Sequence, residues 1–163
     1  MIRIISLLII LIFINLSIFN LSSMVHPVVV MADQRAGKLQ AAAIRVGIEK
    51  PGTPLIKSIL MSSQQTAISG ETILALMWTE SSLKSQAVSS KNYQGLMQIP
   101  WKIPFQNAHV LIGAEILKEK LVLTKGDIRG AITLYKGWPV GSERGKYEAD
   151  KVLMLAKKLK EVI

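Results

Sequence analysis

No cysteine occurs among the 163 residues, which excludes disulfides, thiolate zinc sites, iron–sulfur clusters and a cysteine nucleophile. Histidine is nearly as scarce. His26 and His109 stand far apart, so neither a histidine metal site nor a Ser-His-Asp arrangement has its parts, and no metal is expected. Acidic residues number 11 against 20 Lys and Arg, a net charge of +9. A surplus of that sign points to an anionic partner: nucleic acid, a membrane surface or a cell-wall polymer. The basic residues are dispersed apart from Lys157, Lys158 and Lys160. No arginine cluster with interleaved aromatics is present, so a nucleic-acid partner is not expected. The terminal lysines read as a solvated helix face.

Long apolar runs are also lacking, except at the N-terminus, and polytopic transporters and channels are thereby excluded. Of residues 1–32, 23 are apolar, and from Ile4 to Phe19 the count is 13 of 16. That run suits a signal-peptide core better than a full span of about 20 residues. Val30-Met31-Ala32 offers small residues for cleavage, and Leu21-Ser22-Ser23 could serve instead. Read on through Val30, the segment becomes an uncleaved anchor over residues 4–30, with membrane contact. A buried helix of the domain would carry a polar face, which this segment lacks. Residues 1–32 are therefore expected to be a signal peptide or membrane anchor. The protein is expected to be exported to the periplasm or cell envelope. Residues 33–163 are enough for one domain with a single core.

Those residues read as helices joined by punctuated loops. Residues 34–49 are helix-prone and end at Lys50-Pro51-Gly52. Pro54 suits the first turn of a second helix running to Thr66. Ser69 can cap a third, with Glu71 in its first turn. Residues 84–104 form the longest irregular stretch. Helical spacing returns from Phe105 to Leu123, and Asp127 can cap a short helix through Tyr135. The run Gly137-Trp138-Pro139-Val140-Gly141 breaks the chain before a last helix from Glu143 to Val162. Its stripe is Val152, Leu155, Ala156 and Leu159. No alternating strand appears, and the fold is expected to be all-α.

The third helix holds the informative position. Ile73, Leu76, Met77 and Glu80 follow i, i+3, i+4, i+7, so Glu80 occupies a slot where the pattern expects an apolar side chain. Burial disfavours the charged form of a carboxyl, the property a general acid needs near neutral pH. Glu80→Gln would then remove an acid and leave stability unchanged or slightly raised. The alternative is a Glu at a fraying helix end that swings out to water.

Glu80-Ser81 is followed by Gly95-Leu96-Met97-Gln98, then by a helix with Asn107, Gly113 and Leu117, and by Tyr135. This order and spacing over residues 53–157 resembles the soluble (SLT-type) lytic transglycosylases, which share a lysozyme-like fold with goose-type lysozymes. The resemblance implies a predominantly helical lysozyme-like domain acting without cofactor on peptidoglycan glycan strands. It implies Glu80 as the catalytic acid/base. Ser81 matches the neighbouring hydroxyl, Gly95, Leu96, Met97 and Gln98 match the loop lining the sugar groove, and Tyr135 matches a tyrosine close to the acid. The chain departs from the family at Lys136, where an Asn usually follows the tyrosine.

The activity implied is cleavage of the MurNAc–GlcNAc β-1,4 bond with formation of 1,6-anhydromuramyl products. Hydrolysing glycosidases usually need two carboxylates, and residues 81–114 contain no acid. Glu115, Asp127 or Glu143 could still be brought close by the fold. The alternatives are thus a goose-type lysozyme acting on the same bond and a non-catalytic wall-binding or secretion-accessory module. Leu96 and Met97 also read as core, and Trp78, Tyr93, Trp101 and Trp138 as either sugar-stacking or packing residues.

Overall fold

The computed structural model describes residues 31–49, 51–100 and 106–163. Nearly all of the expected leader, residues 1–30, lies outside the described residues, and so does Trp101. No helix among the described residues is long and apolar enough to cross a membrane. The chain divides into two compact units, Met1–Arg35 and Ala36–Ile163. Of the first only residues 31–35 are described, all helical and exposed.

Regular structure among the described residues is helical throughout. Residues 31–45 are helical (α1), followed by α2 (Thr53–Thr66), α3 (Gly70–Ser81), α4 (Gln106–Leu123), α5 (Ile128–Tyr135) and α6 (Glu143–Glu161). No strand is found there, only two isolated antiparallel bridges pairing Gln94 with Val88 and with Ile99. The all-α expectation holds, and the architecture is consistent with a lysozyme-like helical domain.

Helix ends follow local chemistry. Pro54 sits in the first turn of α2. The Ser69 hydroxyl accepts the Thr72 N–H at 3.2 Å. The Asp127 carboxylate accepts the Arg129 N–H at 3.0 Å, and the Ser142 hydroxyl accepts the Gly145 N–H at 3.1 Å. Each cap satisfies a backbone donor left over at a helix start. One boundary differs from expectation. α1 stops at residue 45 and not at 49, because Gly47 takes φ +84°. The Gly47 N–H then bonds Ile44 O at 3.1 Å and the Ile48 N–H bonds Ala43 O at 2.9 Å, the paired closure that a left-handed glycine allows.

α3 is the core helix. Residues 72–77 are all buried, and Ile73, Leu74, Leu76 and Met77 are 0% exposed. A helix apolar all round belongs inside, and α3 packs on both α6 and α2. Of the α6 stripe, Val152, Ala156 and Leu159 are buried and Leu155 is partly so. α2 in turn packs on α4, α4 on α5, and α5 on α6. Each large apolar side chain so buried contributes roughly 1.5–3 kcal/mol. The consequence for function is positional: the last turn of α3 is held rigidly, and that turn carries Glu80.

Candidate functional site

The turn bearing Glu80 does not fray. α3 is closed by Ser82 in a left-handed conformation at φ 51°, with its N–H on Trp78 O, and Leu83 follows at φ 61°. Consecutive non-glycine residues in this region cost free energy and persist where surrounding structure dictates them. The carboxylate is neither free in water nor isolated in an apolar slot. Its Oε1 accepts a hydrogen bond from Lys136 Nζ at 2.6 Å, and the two side chains are only 16% and 10% exposed respectively. Lys136 arrives 56 residues later as the C-terminal cap residue of α5. The position that departs from the family pattern is therefore the one that engages the proposed acid.

Three ties hold the 95–98 loop against this turn. The Ser81 hydroxyl lies 2.9 Å from Leu96 O and 3.2 Å from Met77 O, so it bridges α3 to the loop as a donor. The Tyr135 hydroxyl donates to Met97 O at 2.7 Å. Burial, and secondarily the nearby Glu80 carboxylate, push the pKa of that hydroxyl far above the ordinary tyrosine range, so it stays a donor at any physiological pH. Close packing supplies the third tie. Gly95 has φ +74°, and a Cβ there would lie 2.4 Å from the buried His109 ring. A Cβ on Gly113 of α4 would lie 2.5 Å from Met97 Cβ. Within the loop the Gln98 amide donates to Gly95 O at 2.9 Å and to Ala87 O at 3.2 Å.

These ties leave a cleft of about 470 Å³ beside the pair. Glu80, Gln98, Tyr135 and Lys136 line it, and so does Tyr93, half-exposed. Glu119 and Lys120 come from α4, and Ser89, Ser90 and Lys91 from the irregular stretch.

The expected site residues thus divide. Glu80, Gln98 and Tyr135 line the cleft. Ser81, Gly95, Leu96 and Met97 are buried and are not among its lining residues, because their hydrogen bonds and packing are spent on fixing the loop. Leu96 and Met97 are core, at 2% and 0% exposure. Trp78 packs partly buried against the core, while Trp138 is exposed with the Arg144 guanidinium 5.8 Å from its ring centroid. Of the three acids considered as partners for Glu80, Glu115 pairs with Lys118, Asp127 caps α5, and Glu143 is on Lys146. None of the three lines the cleft. Glu119 does, and sequence reasoning passed over it. α4 carries Glu115, Lys118, Glu119 and Lys120 within six positions, so no periodic signal marks one charge as special.

Comparison with known proteins agrees with this geometry. Residues 57–103 match the family model described as Transglycosylase SLT domain, a segment that holds Glu80, Ser81 and the 95–98 loop but stops short of Tyr135 and Lys136. No curated protein and no solved structure matches the chain. The match supports a lytic-transglycosylase-type, glycan-cleaving activity in general, with peptidoglycan as the implied substrate. The resemblance of this chain to the soluble lytic transglycosylase family thus rests on the Transglycosylase SLT domain match over residues 57–103.

Proposed function

We propose that this protein is a peptidoglycan lytic transglycosylase that cleaves the MurNAc–GlcNAc β-1,4 bond and leaves 1,6-anhydromuramyl ends. The observation that carries the reading is the placement of Glu80, a carboxyl fixed at a rigid helix end and opening into a cleft with Tyr135 and Gln98. Substrate entering the cleft displaces Lys136 Nζ from Glu80 Oε1, and the freed carboxyl takes up a proton. Glu80 then protonates the glycosidic oxygen as the C1–O bond breaks, and accepts the proton of the muramyl C6 hydroxyl, which attacks C1 and closes the anhydro ring. One carboxyl serves both steps because the nucleophile belongs to the substrate. Gln98 and Tyr93 contact sugar from the same cleft. Ser81, Gly95, Leu96 and Met97 act on substrate only through the loop they hold. Residues 33–163 form the catalytic domain, and residues 1–32 deliver it to the cell envelope as a leader or anchor.

A second reading is favoured by Glu119. Inverting hydrolysis needs a second carboxylate on the opposite face of the sugar, and Glu119 lines the cleft that Glu80 lines. Incubating the purified protein with peptidoglycan sacculi, followed by mass analysis of the soluble muropeptides, separates the readings. Anhydromuramyl ends establish the lyase, and reducing muramyl ends establish the hydrolase. Bound protein with no soluble product would overturn both in favour of a wall-binding module.

A further inference from the structure

Lys136 and Glu80 neutralise one another inside the cleft, which leaves three charged lining residues to set its character: Lys91, Lys120 and Glu119. Neither Lys91 nor Lys120 is in an ion pair among the described residues, and both face the same space from different elements. Lys91 is presented by a closed turn and not by a loose loop. The Ser89 N–H bonds Tyr93 O at 2.9 Å, the Asn92 N–H bonds Ser89 O at 3.0 Å, and the Tyr93 N–H bonds the Ser89 hydroxyl at 3.0 Å. Asn92 takes φ 62° to make that turn. Lys120 stands in the last turn of α4, whose end is closed by the Thr124 N–H and hydroxyl on Lys120 O, both at 3.0 Å. Ser89 and Ser90 beside Lys91 add neutral hydroxyls suited to an acceptor-only ligand. With Glu119 offsetting one of the two ammoniums, the cleft keeps a positive surplus, fixed at the backbone, with hydroxyl donors beside it.

We propose that Lys91 and Lys120 determine specificity for glycan strands bearing carboxylate substituents, by holding a substrate carboxylate in the cleft. This rests on the reading of the cleft as a glycan site and narrows its substrate class. Two carboxylate sources exist on such strands: the lactyl group of a muramyl sugar that carries no peptide, and the peptide carboxyls of one that does, because the peptide occupies the lactyl carboxyl as an amide.

Co-sedimentation of the purified full-length protein with insoluble strands tests this whether or not the protein cleaves them. Three substrates are compared: native strands, strands stripped of peptide by an amidase, and strands whose carboxyls are converted to amides with carbodiimide and ammonia. Native strands are expected to bind about tenfold more tightly than amidated ones, roughly threefold per lysine, and less so as salt is raised. The double variant Lys91→Gln/Lys120→Gln is expected to lose that difference at an unchanged melting temperature. Lys158→Gln/Lys160→Gln, with the same net charge but altered on α6, is expected to keep it. Stripping frees one lactyl carboxylate for each peptide removed, so tighter binding to stripped than to native strands assigns the ligand as the lactyl carboxylate. Binding lost on stripping and on amidation alike assigns it to the peptide. Equal binding to native and amidated strands, or a Lys91/Lys120 double variant that still discriminates, would overturn the proposal. Failure of the glycan-cleaving reading shows separately, as absent product with discrimination intact.

Discussion

The residues lining the cleft fall into two groups that are built on opposite principles. Around Glu80, every polar group described is committed: carboxylate to ammonium, tyrosine hydroxyl to a loop carbonyl, serine hydroxyl across to the loop. At Lys91 and Lys120 the backbone is fixed but the charges are left over. A committed group holds its position to a fraction of an ångström, as proton transfer requires. An uncommitted one retains its capacity to bind something else. On the proposed reading, the contrast separates chemistry from recognition within one cavity.

The sharpest way to break the comparison is Glu80→Gln. Proton delivery is typically worth 10²–10⁴-fold, and turnover on sacculi is expected to fall by about that much. Near-wild-type turnover would sink the mechanism. The structure also reverses the stability expected from sequence. Glu80 is paired, so the variant strands an ammonium that is only 10% exposed, and a loss of about 1–3 kcal/mol replaces the unchanged or raised stability.

Next in size is Gly95→Ala, which combines a left-handed φ with a Cβ driven into the His109 ring. Destabilisation of about 2–4 kcal/mol is expected in urea denaturation, and a loss below 1 kcal/mol would show that the loop yields.

Lys136→Met tests whether the committed group holds a true pair. A loss of about 1–3 kcal/mol is expected from leaving Glu80 without its cation. In the Glu80→Gln/Lys136→Met double variant, the loss should be smaller than the sum of the single losses. Strict additivity would mean the contact contributes nothing.

Tyr135→Phe should cost about 1 kcal/mol at neutral pH for the lost bond to Met97 O. The raised hydroxyl pKa gives a further sign. The folded protein holds this proton more tightly than the unfolded chain, whose value is about 10. That contribution is complete below pH 10 and is lost as pH rises above it. The advantage of wild type over Tyr135→Phe should therefore shrink between pH 8 and pH 11, and an unchanged difference would remove the hydroxyl from the enclosed site.

The smallest expected effect is that of Glu119→Gln, which should leave lyase turnover within about twofold, because no water needs activation. A collapse of activity would install Glu119 as the second carboxylate and make the protein a hydrolase.

Legibility in the sequence followed distance along the chain. Helix starts at Pro54, Ser69 and Asp127 were readable because a cap acts within three residues. Glu80 stood out because it interrupts a local period. The Schellman closure at Gly47 is hidden in the sequence because the apolar Ile48 follows the glycine and prolongs the helical pattern. Lys136 was visible as a departure from a family pattern, but its partner lay 56 residues upstream, and no periodicity links the two. Ser81 matches the family's hydroxyl beside the acid, which says nothing of where that hydroxyl points. It turns inward because α3 ends on it and its hydroxyl finds Leu96 O.

The ties at this site span 15, 38 and 56 residues of chain, and that spacing has a consequence for biogenesis. Contacts so distant in sequence close late, after local helices have formed and the loops between them have lost their entropy. During synthesis the acid emerges with α3, well before the tyrosine and lysine that frame it, and the cavity exists only once α5 has docked. On the proposed reading, a hazardous glycan-cutting activity is thereby withheld from the unfinished chain. Competence becomes a property of the completed fold, so activity reports on folding as sensitively as any spectroscopic probe.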